Sequence, residues 1–134
     1  MKLLKSMTTS NELSLRLKEL GVEQKNGEYY WERYMDWVKD ENGEYNEDYV
    51  IEVINKDNFC FTEDTILCRA FTLGELVREI KGVYLFDAEA THECKWFAFV
   101  ETDQNTMDSG HFDTPEEAAG ELLAEIKSQE KQKA

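Results

Sequence analysis

Chemistry needs a constellation of side chains, and the reactive residue types in this 134-residue chain do not assemble one. His92 and Cys94 stand two apart, a spacing at which a strand turns both to one side, and His111 could add a third metal ligand. A stray histidine beside a buried cysteine is the commoner meaning of such a pair. Asp103 to Asp108 places oxygen-bearing side chains at the first, third and sixth positions of a calcium-type loop. Asp108, however, stands where glycine is required, and Thr114 where a glutamate is. Asp40, Asn42 and Glu44 fail the same test at Tyr45 and Ile51. There is no phosphate-binding glycine pattern, nucleophile elbow or deaminase signature. The sequence therefore offers no catalytic residue, no cofactor site and no metal site, and it leans away from an enzyme.

What it offers instead is charge. Fifteen basic and twenty-nine acidic side chains give a formal net charge of −14, and the acids are not spread evenly. Asp40, Glu41, Glu44, Glu47, Asp48 and Glu52 follow one another with no base among them, as do Glu101, Asp103, Asp108, Asp113, Glu116, Glu117, Glu121 and Glu125. Such a surface repels nucleic acid and anionic lipid and attracts a basic protein. Carboxylates at intervals on a rigid scaffold can also stand in for a phosphate backbone, although an acidic surface often serves solubility alone. Tyr29, Trp31, Trp37, Tyr45 and Tyr49 lie in or beside the first tract, where surface aromatics would act as binding anchors. The candidate partner-binding residues are thus Asp40, Glu41, Glu44, Tyr45, Glu47, Asp48, Trp31 and Trp37 in the first tract, with Glu101, Asp103, Asp108 and Asp113 in the second.

The elements that must carry these residues follow from capping and periodicity. Three Thr-x-x-Glu boxes, at Thr9, Thr72 and Thr114, each open a helix. Leu13, Leu17 and Leu20 give the first an apolar stripe and Gly21 closes it; Leu76, Val77 and Ile80 do the same for the second, with Gly82 after it. Pro115 starts the third, whose apolar side is Ala119, Leu122, Leu123 and Ile126. Asn26-Gly27 and Asn42-Gly43 signal tight hairpin turns around an aromatic strand from Tyr29 to Val38. Further strands are expected at Tyr49 to Ile54, Val83 to Phe86 and Trp96 to Val100, the last apolar on both faces and so central, with a short one near His111 and Phe112. The expected fold is α+β, a mostly antiparallel sheet carrying about three helices in the order α-β-β-α-β-β-α. It forms one domain over residues 1–127 with a fraying polar tail at 128–134. Cys60 and Cys68 read as small core residues. Three cysteines, odd in number, argue against a disulfide framework. Leu3 and Leu4 fall short of a signal-peptide core and no later stretch is apolar enough to span a bilayer, so a cytoplasmic location is expected.

Thr9-Ser10-Asn11-Glu12-Leu13-Ser14-Leu15-Arg16-Leu17-Lys18-Glu19-Leu20-Gly21-Val22 and Ala70-Phe71-Thr72-Leu73-Gly74-Glu75-Leu76-Val77 resemble segments of a loose group of small uncharacterised proteins from bacteriophages and mobile elements of gut bacteria. That resemblance implies the same run of N-terminal helix, aromatic strand, "A-[FW]-[ST]-L-x-x-L" helix, paired strands and final helix. It carries over no functional residue. The setting it implies is a phage or mobile element facing bacterial immunity, where small acidic proteins are inhibitors of defence nucleases, anti-CRISPR proteins among them.

Two functions are therefore expected to compete. The first is a non-enzymatic inhibitor that binds a basic, nucleic-acid-handling host protein by mimicry. The alternative is a small-ligand binder, such as a protein sequestering a nucleotide, which would need an anion site at a helix N-terminus after Thr72 or Thr114. An acidic domain of purely structural role is the remaining possibility.

Overall fold

The first helix, α1 (Asn11–Glu19), is capped by Ser10, whose hydroxyl accepts the Leu13 N–H. The expected box at Thr9 and Glu12 does not form, because Thr9 is fully buried and spends its polar groups elsewhere. Its N–H donates to Phe71 O, its Oγ1 accepts from Phe71 N–H, and that same oxygen lies 2.7 Å from Ser14 Oγ. The carboxylate that closes the cap comes from far along the chain: Glu117 accepts the Ser10 N–H. At the other end Gly21 adopts φ +89° and donates to Lys18 O, while Val22 N–H reaches Leu17 O. These two bonds make a Schellman ending and bring Val22 into the core.

A computed structural model describes residues 7–57, 63–87, 96–101 and 106–133. The expected order α-β-β-α-β-β-α is present. It runs α1, β1 (Tyr29–Lys39), β2 (Tyr45–Asn55), α2 (Leu73–Ile80), β4 (Tyr84–Asp87), β5 (Trp96–Glu101) and α3 (Pro115–Lys133). Two more strands complete it, β3 (Ile66–Ala70) after a short 3-10 turn at Glu63–Thr65, and β6 (Thr106–Phe112). The strands divide into two antiparallel sheets of three, in the orders β2-β1-β3 and β4-β5-β6. α2 separates them in sequence. Its capping box is complete, with Thr72 and Glu75 each satisfying the other's backbone N–H.

The larger core lies between the three helices and β5, where Leu13, Leu17, Phe71, Leu76, Ala98, Val100, Leu122 and Leu123 meet. Burying a side chain of the Leu or Phe size is worth roughly 1.5–3 kcal/mol. β5 is central to its sheet, as its two apolar faces require. Its inner residues Ala98 and Val100 are buried, and its outer residues Phe97 and Phe99 extend a line of rings from Tyr84 to His111. A smaller core of Trp31, Val53, Cys68 and Ala70 sits under the first sheet. Thr9 joins the two, since its carbonyl also accepts the Trp31 indole N–H at 3.1 Å.

Two local expectations are corrected. Asn26-Gly27 is not a hairpin turn: a helix, not a strand, precedes it, and it delivers the chain from α1 into β1. Residues 128–133, expected as a fraying tail, form the last turns of α3, from which Lys131 Nζ donates to Glu19 O of α1.

Candidate partner-binding arm

β1 and β2 form a hairpin eleven residues deep, but β3 covers the outer edge of β1 only from Tyr29 to Glu32. From Arg33 onward the hairpin stands alone as a two-stranded arm, about 20 Å long at 3.4 Å per residue. The tip is built by Asp40. Its Oδ1 accepts the N–H groups of Asn42 and Glu44 and its Oδ2 the Asn46 amide, while Gly43 takes φ +82° as the turn demands. Asn42-Gly43 therefore sits inside a five-residue connection, Asp40 to Glu44, and not in a two-residue one.

The ladder's phase is set at both ends of the hairpin. Asp40 N–H donates to Glu44 O and Lys56 N–H to Glu28 O, so the even-numbered partners are the hydrogen-bonded pairs. The odd-numbered pairs are Arg33/Ile51, Met35/Tyr49, Trp37/Glu47 and Lys39/Tyr45, with side chains closer together and N–H groups pointing to the outer edges. Because successive side chains alternate, the arm has two chemically distinct faces. One carries the odd-numbered residues and is mainly apolar: Met35, Trp37, Tyr45, Tyr49 and Ile51 are all exposed on it, Trp37 and Tyr45 at 62% and 63%, with Glu47 its one carboxylate. Arg33 lies over the Tyr49 ring at 3.9 Å, and Lys39 is the arm's other cation. The other face carries Glu32, Tyr34, Asp36, Val38, Asn46, Asp48, Val50 and Glu52, with four carboxylates and no base.

That acidic face pairs like with like. Glu32 is opposite Glu52, and Asp36 is opposite Asp48. Each carboxylate has a neutral partner. Glu32 is buried and takes the Thr65 hydroxyl; Glu52 takes the Tyr34 hydroxyl at 2.8 Å, and that bond, with burial and the Glu52 charge, pushes the Tyr34 pKa up to about 12. Asp36 and Asp48 turn to the outer edges and accept the N–H groups of Trp37 and Tyr49. Those are edge N–H groups that would otherwise offer themselves to a further strand. One donor on each outer edge of the arm is occupied in this way.

Of the sequence candidates, Trp37, Asp40, Glu41, Glu44, Tyr45, Glu47 and Asp48 are gathered on the arm and exposed. Trp31 is a correction: it is 6% exposed with its indole N–H satisfied, so it belongs to the core beneath the arm. Asp36 was missed, although strand alternation from Asp48 and Glu52 could have placed it. Glu101, Asp108 and Asp113 are exposed on the second sheet and the turn after it, not on the arm. Asp103, His92, Cys94 and Cys60 lie outside the described residues. The second tract is less base-free in space than in sequence, because Arg16 makes two bonds to Glu121 and Glu117 is committed to Ser10.

The two helix N-termini considered for an anion are already filled. Glu75 occupies that of α2, and Glu117 and Glu116 flank that of α3. Among the described residues, no three His, Cys, Asp or Glu could hold a metal ion, and no helix is long and apolar enough to cross a membrane. Comparison with protein-family models, with curated proteins and with solved structures finds no match.

Proposed function

We propose that the protein is a non-enzymatic interaction protein whose β1–β2 arm docks on a basic partner, with the acidic face of the arm standing in for phosphates. The observation that carries this reading is the arm itself. A two-stranded hairpin exposed on both faces buries little and adds little to folding. This one nonetheless bears Asp36 opposite Asp48 and an exposed Trp37 on its other side. Aligned like charges oppose pairing, while exposed aromatics gain most when a partner covers them.

The partner class is a nucleic-acid-handling protein, since a basic channel is the surface that such a rigid acidic arm fits. The resemblance to phage and mobile-element proteins extends the proposal to an inhibitor of a bacterial defence nuclease, anti-CRISPR-like in action. The host cytoplasm is then the place of encounter.

The test is capture from the native cell with the wild-type protein and with Asp36→Lys/Asp48→Lys side by side. The expected result is a basic protein retained by the wild type, displaced by DNA or RNA and by salt, and lost with the double variant. A partner held equally by both proteins, insensitive to salt and tolerant of bound nucleic acid, would remove the mimicry.

A further inference from the structure

We propose that the groove between α1 and the outer edge of β3 binds a small amphipathic anion, a carboxylate or phosphate group carried on a compact apolar or aromatic body. The groove is a cavity of about 230 Å³. Ligand sites for drug-sized molecules begin near 300 Å³, so its occupant is small.

Its lining departs from the rest of the molecule. Among the described residues, Lys18, Lys25 and Arg69 contribute to it and no acidic residue does, in a chain where acids outnumber bases by twenty-nine to fifteen. The floor is apolar, made by Ile66, Leu67 and Cys68 with the side of Tyr30.

The cations differ in what they have left to give. Arg69 is committed, with one nitrogen 2.6 Å from Glu75, another on Glu23 O, and its guanidinium over the Phe71 ring. Lys18 is held at the rim by a single bond from Nζ to Leu67 O at 2.8 Å, which fixes its position and leaves two of its three donors. Lys25 is exposed with no partner among the described residues. A ligand anion thus meets one preorganised ammonium group and one free to close over it.

The backbone contributes as well. The Leu67 carbonyl and the Arg69 N–H point out of the sheet, and side chains of Lys18 and Gln24 satisfy them. If Gln24 Oε1 swings aside, the Arg69 N–H can donate to a ligand oxygen in its place. The Cys68 thiol, pushed up to about 11 by burial against a smaller opposing pull from Lys18, stays protonated and takes no covalent part. The long-range field of the acidic protein opposes an anion. Its reach is cut to roughly 8 Å at physiological ionic strength, so the two lysines dominate inside the groove.

The proposal is independent of the arm. It is tested by titrating ¹⁵N-labelled protein with benzoate, phenyl phosphate and the neutral benzyl alcohol and following amide shifts. Benzoate or phenyl phosphate should give saturable shifts at Gln24, Lys25, Leu67 and Arg69, and the tighter of the two identifies the anionic group. Benzyl alcohol should bind about tenfold more weakly, and Lys18→Met and Lys25→Met should each cost a similar factor while leaving distant amides unmoved. Equal binding of the alcohol, shifts scattered over other lysines, or no saturation by about 10 mM would overturn it.

Discussion

Asp36 and Asp48 stand directly opposite each other on the β1–β2 hairpin, and each carboxylate accepts the backbone N–H of the residue that follows it. The relationship has two physical consequences of opposite sign. Two like charges face each other across the ladder, which weakens pairing. The same two groups occupy one edge donor on each strand, Trp37 N–H and Tyr49 N–H, that another strand would need. A hairpin built only to be stable would not choose the pair, whereas one that must keep its faces accessible and its edges silent gains from it.

Replacing both aspartates with threonine separates these effects. Asp36→Thr/Asp48→Thr should raise stability to urea by a few tenths up to about 1 kcal/mol, the usual scale of a cross-strand pair. It should also promote self-association, seen by sedimentation, as the edges are freed. A variant that is less stable and stays monomeric would show that the carboxylates serve the fold of the arm and nothing else.

The tryptophans separate the arm from its base. Trp37 is exposed and Trp31 is buried with its indole N–H on Thr9 O. Trp31→Ala should cost about 3–5 kcal/mol, the range for emptying a large aromatic site. Trp37→Ala should change stability by less than about 0.5 kcal/mol, as surface substitutions do. Acrylamide quenching of wild-type fluorescence should lose its accessible component in Trp37→Ala. Unchanged quenching would place Trp37 against other parts of the chain.

The difference between these two residues also marks how far the sequence could be read. Asn42-Gly43 and the aromatic run placed the hairpin, and alternation is enough to put Trp31 and Trp37 on one face. What the sequence could not say is where β3 stops. That strand, Ile66–Ala70, is five residues long and carries Arg69 at its fourth position, so it offers little alternation to recognise. Its short reach, ending opposite Glu32, turns Trp31 into core and leaves Trp37 in water. The helix starts behave likewise. The Thr72 box is local and was legible, but Ser10 is closed by Glu117, a residue 107 positions away that no spacing rule connects to it. The acidic tracts were visible as runs of letters. The pairing of Arg16, from the other end of the chain, with Glu121 of the second tract was not.

The acid limb of the stability profile should report on Glu75. Burial works against its carboxylate, but the Thr72 backbone N–H and the Arg69 guanidinium together outweigh that and hold its pKa below the usual glutamate value. A depressed folded pKa contributes stability that is present above the unfolded value, near 4.3, and is lost as pH falls through the folded one. Glu75→Gln should therefore lower stability at neutral pH by about 1.5–3 kcal/mol, the scale of a charged hydrogen bond, and flatten the fall below about pH 4. An unaltered acid limb would mean that the Arg69 contact is not maintained in solution.

Tyr34 makes a matching claim at the alkaline end. Its hydroxyl donates to Glu52, and with burial and the carboxylate charge this raises its pKa to about 12. A raised folded pKa contributes stability that is complete below the unfolded value of about 10 and is lost as pH climbs through the folded one. Tyrosinate absorbance should show an ionisation step near pH 12 that is absent from Tyr34→Phe. If the late step survives that substitution, the acidic face is not arranged around Tyr34 as described.

Gly120 tests the joint that holds the helices together. A Cβ there would lie 2.6 Å from Leu13 Cδ2 and 2.9 Å from Thr9 Cγ2, so α1 and α3 cross with backbone against side chain. In an open helix Gly→Ala stabilises by about 1 kcal/mol. Here the added methyl must displace Leu13 and Thr9, both fully or nearly fully buried, and Thr9 carries the bonds that join the two cores. Overpacking of this kind costs about 1–3 kcal/mol, which exceeds the helix gain. Gly120→Ala should therefore denature at lower urea than wild type, and Gly120→Val at lower urea still. Shortening Leu13 should then relieve part of the penalty: in the double variant Leu13→Val/Gly120→Ala the two costs should add to less than their sum, since the side chains share one space. Strict additivity would separate Gly120 from Leu13 and place the helix crossing elsewhere.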